Sequence, residues 1–162
     1  MARNTYAHAK SWRFAVIATD IVLLSVFDGK LQVLLMNVHR PPFFVHVPGV
    51  PGGLIHPDET APDAATRYLR ERGGFENVSL TQLGAFSKVD RDPRGRVVSV
   101  AYWGLVPEAR ARKEVRGDVL WYSVTSLPVL AYDHNDMVRA ALKHLCLSIM
   151  STTMVMHLLP NE

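Results

Sequence analysis

The chain has 162 residues, 48% hydrophobic and 20% charged, with a net charge of +3. That balance excludes a disordered or fibrous chain and suits one globular domain with a sizeable core. Lysines and arginines are spread rather than clustered, so charge alone gives little weight to nucleic-acid binding.

The single cysteine, Cys146, excludes an internal disulfide framework and suits a reducing, cytoplasmic setting; it lies in an apolar helical run and is expected to be a buried thiol. No stretch reaches the roughly 18–20 apolar residues that span a bilayer, and the first residues lack the apolar core of a signal peptide, so no membrane partner is expected.

Residues 1–13 read as an N-terminal tail. Phe14 to Phe27 and Leu31 to Val38 are aliphatic and β-branched runs separated by Asp28-Gly29-Lys30, which predicts an antiparallel hairpin. Arg40-Pro41-Pro42 breaks the second strand. The turn-rich run PGVPGG, ending on Gly53, leads into a helix over Pro62 to Arg72. Its proline, Asp63 in the first turn and Gly73-Gly74 beyond the end are concordant start and stop signals. Ala61, Ala64, Ala65, Leu69 and Phe75 form its apolar stripe, which leaves Arg67, Tyr68, Glu71 and Arg72 to face a cleft or water.

Three further strands follow, Leu80 to Val89, Arg96 to Val106 and Val119 to Val124, the first two joined by a polar loop over Asp90 to Arg96. A last helix starts near Asn135, capped by Asp133 or His134, with Met137, Ala141, Leu142, Leu145 and Ile149 as its core stripe. It continues or restarts through Met154, Met156 and Leu159 until Pro160. This order predicts an α/β (α+β) sandwich, a mixed β-sheet packed between helices, as a single domain over 14–162 that closes on a helical segment at 134–159.

Gly53, Glu59, Arg67, Leu69, Glu71 and Gly74, with Phe75, fall on the pattern G-x5-E-x7-R-E-U-x-E-E-x-G-U, in which U is bulky and apolar. The stretch resembles the Nudix box. In that family the carboxylates of the helix hold Mg²⁺ against a diphosphate. Here Tyr68 and Arg72 stand where two of the three glutamates belong, beside the retained Glu71. Positions 68, 71 and 72 lie three and four apart and are expected to project from one side of a helix. Three carboxylates there would make the all-oxygen site Mg²⁺ takes, whereas an arginine keeps its charge and repels the cation. Its guanidinium can pair with a phosphate oxygen directly.

Two more stretches, RDPRGRVVSVAY from Arg91 and LAYDHNDMVRAAL from Leu130, resemble the Nudix-related transcriptional regulators and the ADP-ribose pyrophosphatases nearest them. The resemblance covers nearly everything from Trp12 onward. It implies a domain that binds an ADP-ribose-type nucleotide as the effector-sensing module of a regulator, with hydrolysis weak or lost. The alternative it implies is an active Mg-dependent Nudix hydrolase, in which Glu71 and Glu59 would serve catalysis and hold the metal and Glu108 or Glu114 would supply a compensating carboxylate. In the regulators a winged-helix domain follows and binds DNA. No such domain is read within this chain, so DNA is a partner only if one exists beyond it.

The residues singled out for the ligand are Arg72, Tyr68, Arg67, Arg40, Gly53, Arg91, Arg94 and Arg96. Each has a plainer reading. Arg91, Arg94 and Arg96 clamp a diphosphate bidentately or form a solvated hairpin tip, and Arg40 stands in the same position. Tyr68 stacks on a base or ribose, or fills the core. Glu71 binds metal or pairs with Arg67 four residues before it. The seven histidines show no paired spacing for zinc. The tryptophans are expected as core or interface anchors. The methionine-rich tail, Met150 to Leu159, suits a dimer face, a seat for a further domain or packing within the domain, and with the long first hairpin it points to a homodimer.

Overall fold

The computed structural model describes residues 14–114 and 119–158, with side chains through Met150. Expectations placed on the tail 1–13, on Trp12, on Leu159-Pro160 and on the side chains of Met154 and Met156 fall outside these residues.

Two long strands, β1 (Val16–Phe27) and β2 (Lys30–Arg40), form the predicted hairpin. They are followed by β3 (Phe44–Gly49), β4 (Gly52–Leu54), α1 (Ala61–Tyr68), β5 (Thr81–Phe86), β6 (Val97–Leu105), α2 (Glu108–Glu114), β7 (Val119–Ser123) and α3 (His134–Leu158). The strands make one mixed seven-stranded sheet along the path β3-β2-β1-β6-β5, with β4 on β1 and β7 on β2. Among the described residues only β1 and β6 run parallel, Ile21 lying opposite Tyr102, and the other pairs are antiparallel. Both faces are covered, so β1 alternates between two cores and reads as a continuous apolar run. Ile21 and Leu23 enter the core shared with Leu69, Phe75 and Ala111 under α1 and α2, and Val22 and Leu24 the core shared with Met137, Val138 and Ala141 of α3.

β3, β4 and α2 are absent from the sequence expectation. The Pro41-Pro42 break hides β3, since the chain resumes pairing with β2 just beyond it, Arg40 lying opposite Phe44. β4 is three residues of turn-like Gly-Gly-Leu, and α2 is mostly charged, with Ala111 its buried residue. β5 is shorter at both ends than Leu80 to Val89.

The last helix begins at His134 and is continuous to Leu158. Its first turns are buried through Met137, Val138 and Ala141, but Leu147, Ile149 and Met150 are exposed. The expected core role of Ile149 is therefore corrected. So is the buried thiol, because Cys146 is exposed: the apolar pattern runs past the point where the helix leaves the sheet.

Candidate functional site

β1 and β2 pair only from Leu24↔Val33 to the hairpin. Beyond that point they part, β4 pairing with β1 at Ala18–Asp20 and β3 with β2 from Met36 to Arg40. The opening between the diverging strands is a cavity of about 790 Å³, walled by these four strands, by Tyr68 and Arg72, by the loop carrying Arg91, Asp92 and Arg94, and by Tyr132 and His134 at the start of α3.

α1 opens on a reciprocal cap, Thr60 accepting from the Asp63 backbone N–H while Asp63 accepts from that of Thr60. After Tyr68 the chain tightens no further but widens into a π-helical turn over Leu69–Gly73. With more residues in each turn there, residues three apart swing away from a common face while residues four apart stay close to one. Tyr68 and Arg72 line the cavity whereas Glu71 does not. The expected common face of 68, 71 and 72 is thus split. Glu71 lies 3.4 Å from Arg67 and 3.7 Å from Arg70.

Glu59 is held by Arg67, whose Nε donates to Oε2 at 2.8 Å, and by the His56 backbone N–H at 2.8 Å. The Arg67 guanidinium also sits 4.1 Å above the Tyr68 ring. Tyr68 is buried in the core, as its plainer reading has it; its hydroxyl donates to the Leu54 carbonyl at 2.8 Å, and the residue also borders the cavity. That ring lies against Gly53, where an added Cβ would fall 2.4 Å from Tyr68 Cζ. Only glycine fits.

Arg91 is neither a free clamp nor a solvated tip. Its side chain is 3% exposed, donates through Nε and Nη2 to Asp133 and through Nη2 to Asp20 at 3.3 Å. Ser99 Oγ donates to the same Asp20 oxygen at 2.6 Å. His134 Nδ1 accepts from the Val50 N–H at 3.1 Å, which leaves the ring proton on Nε2, 3.5 Å from Asp20 Oδ1. Burial works to raise the Asp20 carboxyl, but His134, Ser99 and Arg91 outweigh it and hold it below the ordinary 3.8.

Arg94 lines the cavity with its guanidinium fixed by the buried Asp92, Nε to Oδ1 at 2.9 Å and Nη2 to Oδ2 at 2.7 Å. Arg96 points away and donates to the carbonyls of Ser87 and Lys88. Arg40 lines the cavity and donates to the His39 carbonyl. Among the described residues, neither Arg40 nor Arg72 has a carboxylate partner, and the Arg72 side chain makes no hydrogen bond. Asp20, Tyr132 and His134 were not foreseen as site residues; an aspartate inside the apolar run VIATDIVLL was the available signal.

The donor set does not fit a divalent cation. Glu59 is engaged by Arg67, Glu71 stands between two arginines, and Arg72 faces the place of the third carboxylate. Among the described residues no three His, Cys, Asp or Glu side chains converge as a metal site. Glu108 and Glu114 offer no rescue: they pair along α2 with Arg112 and Arg110 and do not border the cavity.

The Glu59–Arg67 pair sets an acid limit. The Arg67 hydrogen bond, helped by the His56 N–H, lowers the Glu59 carboxyl from 4.5 to about 2. A carboxyl depressed by folding stabilises the fold fully above its unfolded value and loses that contribution as pH falls through its folded one. The stability that this pair contributes should therefore be constant above 4.5 and fall away toward about 2, which thermal unfolding across that range reads. Glu59→Gln should flatten part of that acid slope; a slope identical to the parent's would mean that the pair contributes nothing.

The described helices include none long and apolar enough to cross a membrane. The family model of the NUDIX domain matches residues 17–142. The chain is 32% identical over 116 residues to an ADP-ribose pyrophosphatase of Methanocaldococcus jannaschii, covering 70% of this chain and 68% of that protein. It is 27% identical over 151 residues to the ADPR responsive transcriptional repressor NtrR of Acinetobacter baylyi, covering 90% of this chain but only 60% of the repressor. The NUDIX domain of Shewanella oneidensis NrtR, solved in complex with ADP ribose, superposes with a TM-score of 0.73 at 28% identity, over 90% of this chain and 99% of that one. With the box residues of α1, the mixed sheet and the family match over most of its length, the chain belongs to the Nudix family.

Proposed function

We propose that this domain binds an ADP-ribose-type nucleoside diphosphate derivative without cleaving it at a useful rate, as the effector-sensing module of a transcriptional regulator. The observation that carries the reading is Arg72: an exposed guanidinium with no partner among the described residues, lining the cavity where the family pattern has a metal-binding carboxylate. A guanidinium there replaces a cation bridge with direct charge-assisted hydrogen bonds to phosphate. Arg40 adds a second cation without a carboxylate partner on the same cavity.

The choice of ADP-ribose is supported by the Shewanella domain, solved with that molecule, and the regulatory role by the Acinetobacter repressor. Because the chain spans 60% of that repressor, contact with DNA is proposed only for a further domain. The proposed place of action is the cytoplasm.

A second reading, a Mg-dependent hydrolase, is favoured by the 32% identity to a pyrophosphatase. Calorimetric titration with ADP-ribose in chelator and in Mg²⁺, followed by assay for AMP, separates the two. Equal affinity in both buffers with no AMP is the expected result. Binding that requires Mg²⁺ and ends in AMP release establishes the hydrolase instead.

A homodimer is also proposed, on the apolar residues Leu147, Ile149 and Met150 that α3 leaves exposed. Light scattering at micromolar concentration should give twice the chain mass; a species of 18.1 kDa ends that part of the proposal.

A further inference from the structure

We infer that the His39–His46 pair is a stacking seat for the heteroaromatic base of the ligand. The inference rests on the nucleotide-binding reading above and says which part of the cavity takes which part of the molecule. His39 on β2 and His46 on β3 are both exposed, both line the cavity, and their rings lie 4.6 Å apart at 34°. The β2–β3 register shifts between Val38 and Arg40, and an irregularity of this kind re-aims a side chain, here that of His39.

His46 holds a left-handed backbone at φ 55°, a conformation that side-chain-bearing residues adopt rarely and that concentrates where a ligand is held. Of the four non-glycine residues with positive φ among those described, the two that line the cavity are both aromatic, His46 and Tyr132. The Asn37 amide nitrogen lies 2.9 Å from His46 Nδ1 and fixes that ring in the cavity wall. With Nδ1 accepting from the amide, Nε2 carries the proton and is free to donate to a ring nitrogen.

The other uses of such a pair do not fit. Neither imidazole is ion-paired to a carboxylate, and no third metal-ligating side chain joins them among the described residues. Their exposure excludes a packing role in either core. What remains is a planar, polarisable surface with a polar edge, which suits a nucleobase. Arg72 and Arg40 then take the diphosphate, so the seat and the guanidiniums read different parts of one molecule.

The test is calorimetric titration of His39→Ala, His46→Ala and the double variant with two probes: ADP-ribose, and ribose 5-phosphate, which lacks a base. The double variant should lose about tenfold or more in affinity for ADP-ribose and keep that for ribose 5-phosphate. His39→Phe, which retains a planar face, should bind ADP-ribose within about twofold of the parent. Equal losses for both probes would show that the imidazoles act on the phosphate, and unchanged affinity for ADP-ribose would make them rim structure; either overturns the seat while nucleotide binding by the parent stands. A parent with no affinity for ADP-ribose overturns the seat together with the reading beneath it.

Discussion

Arg91→Ala is expected to lower the free energy of unfolding by about 3–5 kcal/mol, the range for removing one partner of a buried ion pair. The Arg91 side chain is buried between Asp133 and Asp20, which lose their common counter-charge when it goes. Two carboxylates in that setting must protonate or draw in water, and either costs free energy. A domain of this size should shift its melting midpoint by on the order of 10 °C. The same loop carries Arg94 into the cavity, so ligand affinity should fall as well. Urea titration reads the effect directly; a loss under about 1 kcal/mol would mean the loop is held by its backbone alone and the buried network is incidental.

The second large effect is on binding. Arg72→Ala should weaken ADP-ribose binding by about 1.5–3 kcal/mol, or roughly ten- to a hundredfold, the range for a hydrogen bond to a charged group. Stability should hold, because the Arg72 side chain is exposed and pairs with nothing among the described residues. Chelator should leave the parent's affinity unchanged. Rebuilding the carboxylates is a sharper version: Arg72→Glu with Tyr68→Glu should gain Mg²⁺-dependent binding and slow hydrolysis. Tyr68 is buried, its hydroxyl holds the Leu54 carbonyl and its ring carries Gly53. The double variant must therefore be checked for folding, and Arg72→Glu alone is the gentler probe. If Arg72→Ala binds as tightly as the parent, Arg72 is a solvated surface residue and the metal-free clamp is wrong.

The parts of the fold visible in the sequence are those set by neighbours along the chain. The Asp28-Gly29 turn specified the first hairpin, and both residues adopt the positive φ values, 48° and 74°, that such a two-residue loop requires. The box helix announced itself by its proline, the aspartate of its first turn and its glycines, and the buried stripe Ala64, Ala65, Leu69 and Phe75 follows from the same pattern.

The candidate site was less legible because its partners are distant in sequence. Arg91 meets Asp133 at a separation of 42 residues and Asp20 at 71, so nothing local distinguishes it from Arg96, which ends on backbone carbonyls nearby. The π-helical turn is likewise invisible to a count of i+3 and i+4, and it turns Glu71 away from the face that Tyr68 and Arg72 share. Ile149 keeps the apolar pattern beyond the sheet it was expected to cover, since periodicity states which residues share a face but not how far the neighbouring element extends.

α3 is also a lever. Its first residue, His134, is bonded into the cavity wall through Val50 and faces Asp20, while the helix runs on for 25 residues, about 37 Å at the α-helical rise. A rod pivoting at one end magnifies small rotations: a tilt of about 5° at the wall carries the far end through roughly 3 Å. Cys146 sits twelve residues from the pivot, about 18 Å along the rod, and is exposed. The molecule therefore carries its own attachment point for a fluorophore or spin label, on the arm where any movement begun at the cavity is amplified and at a distance from the chemistry that begins it.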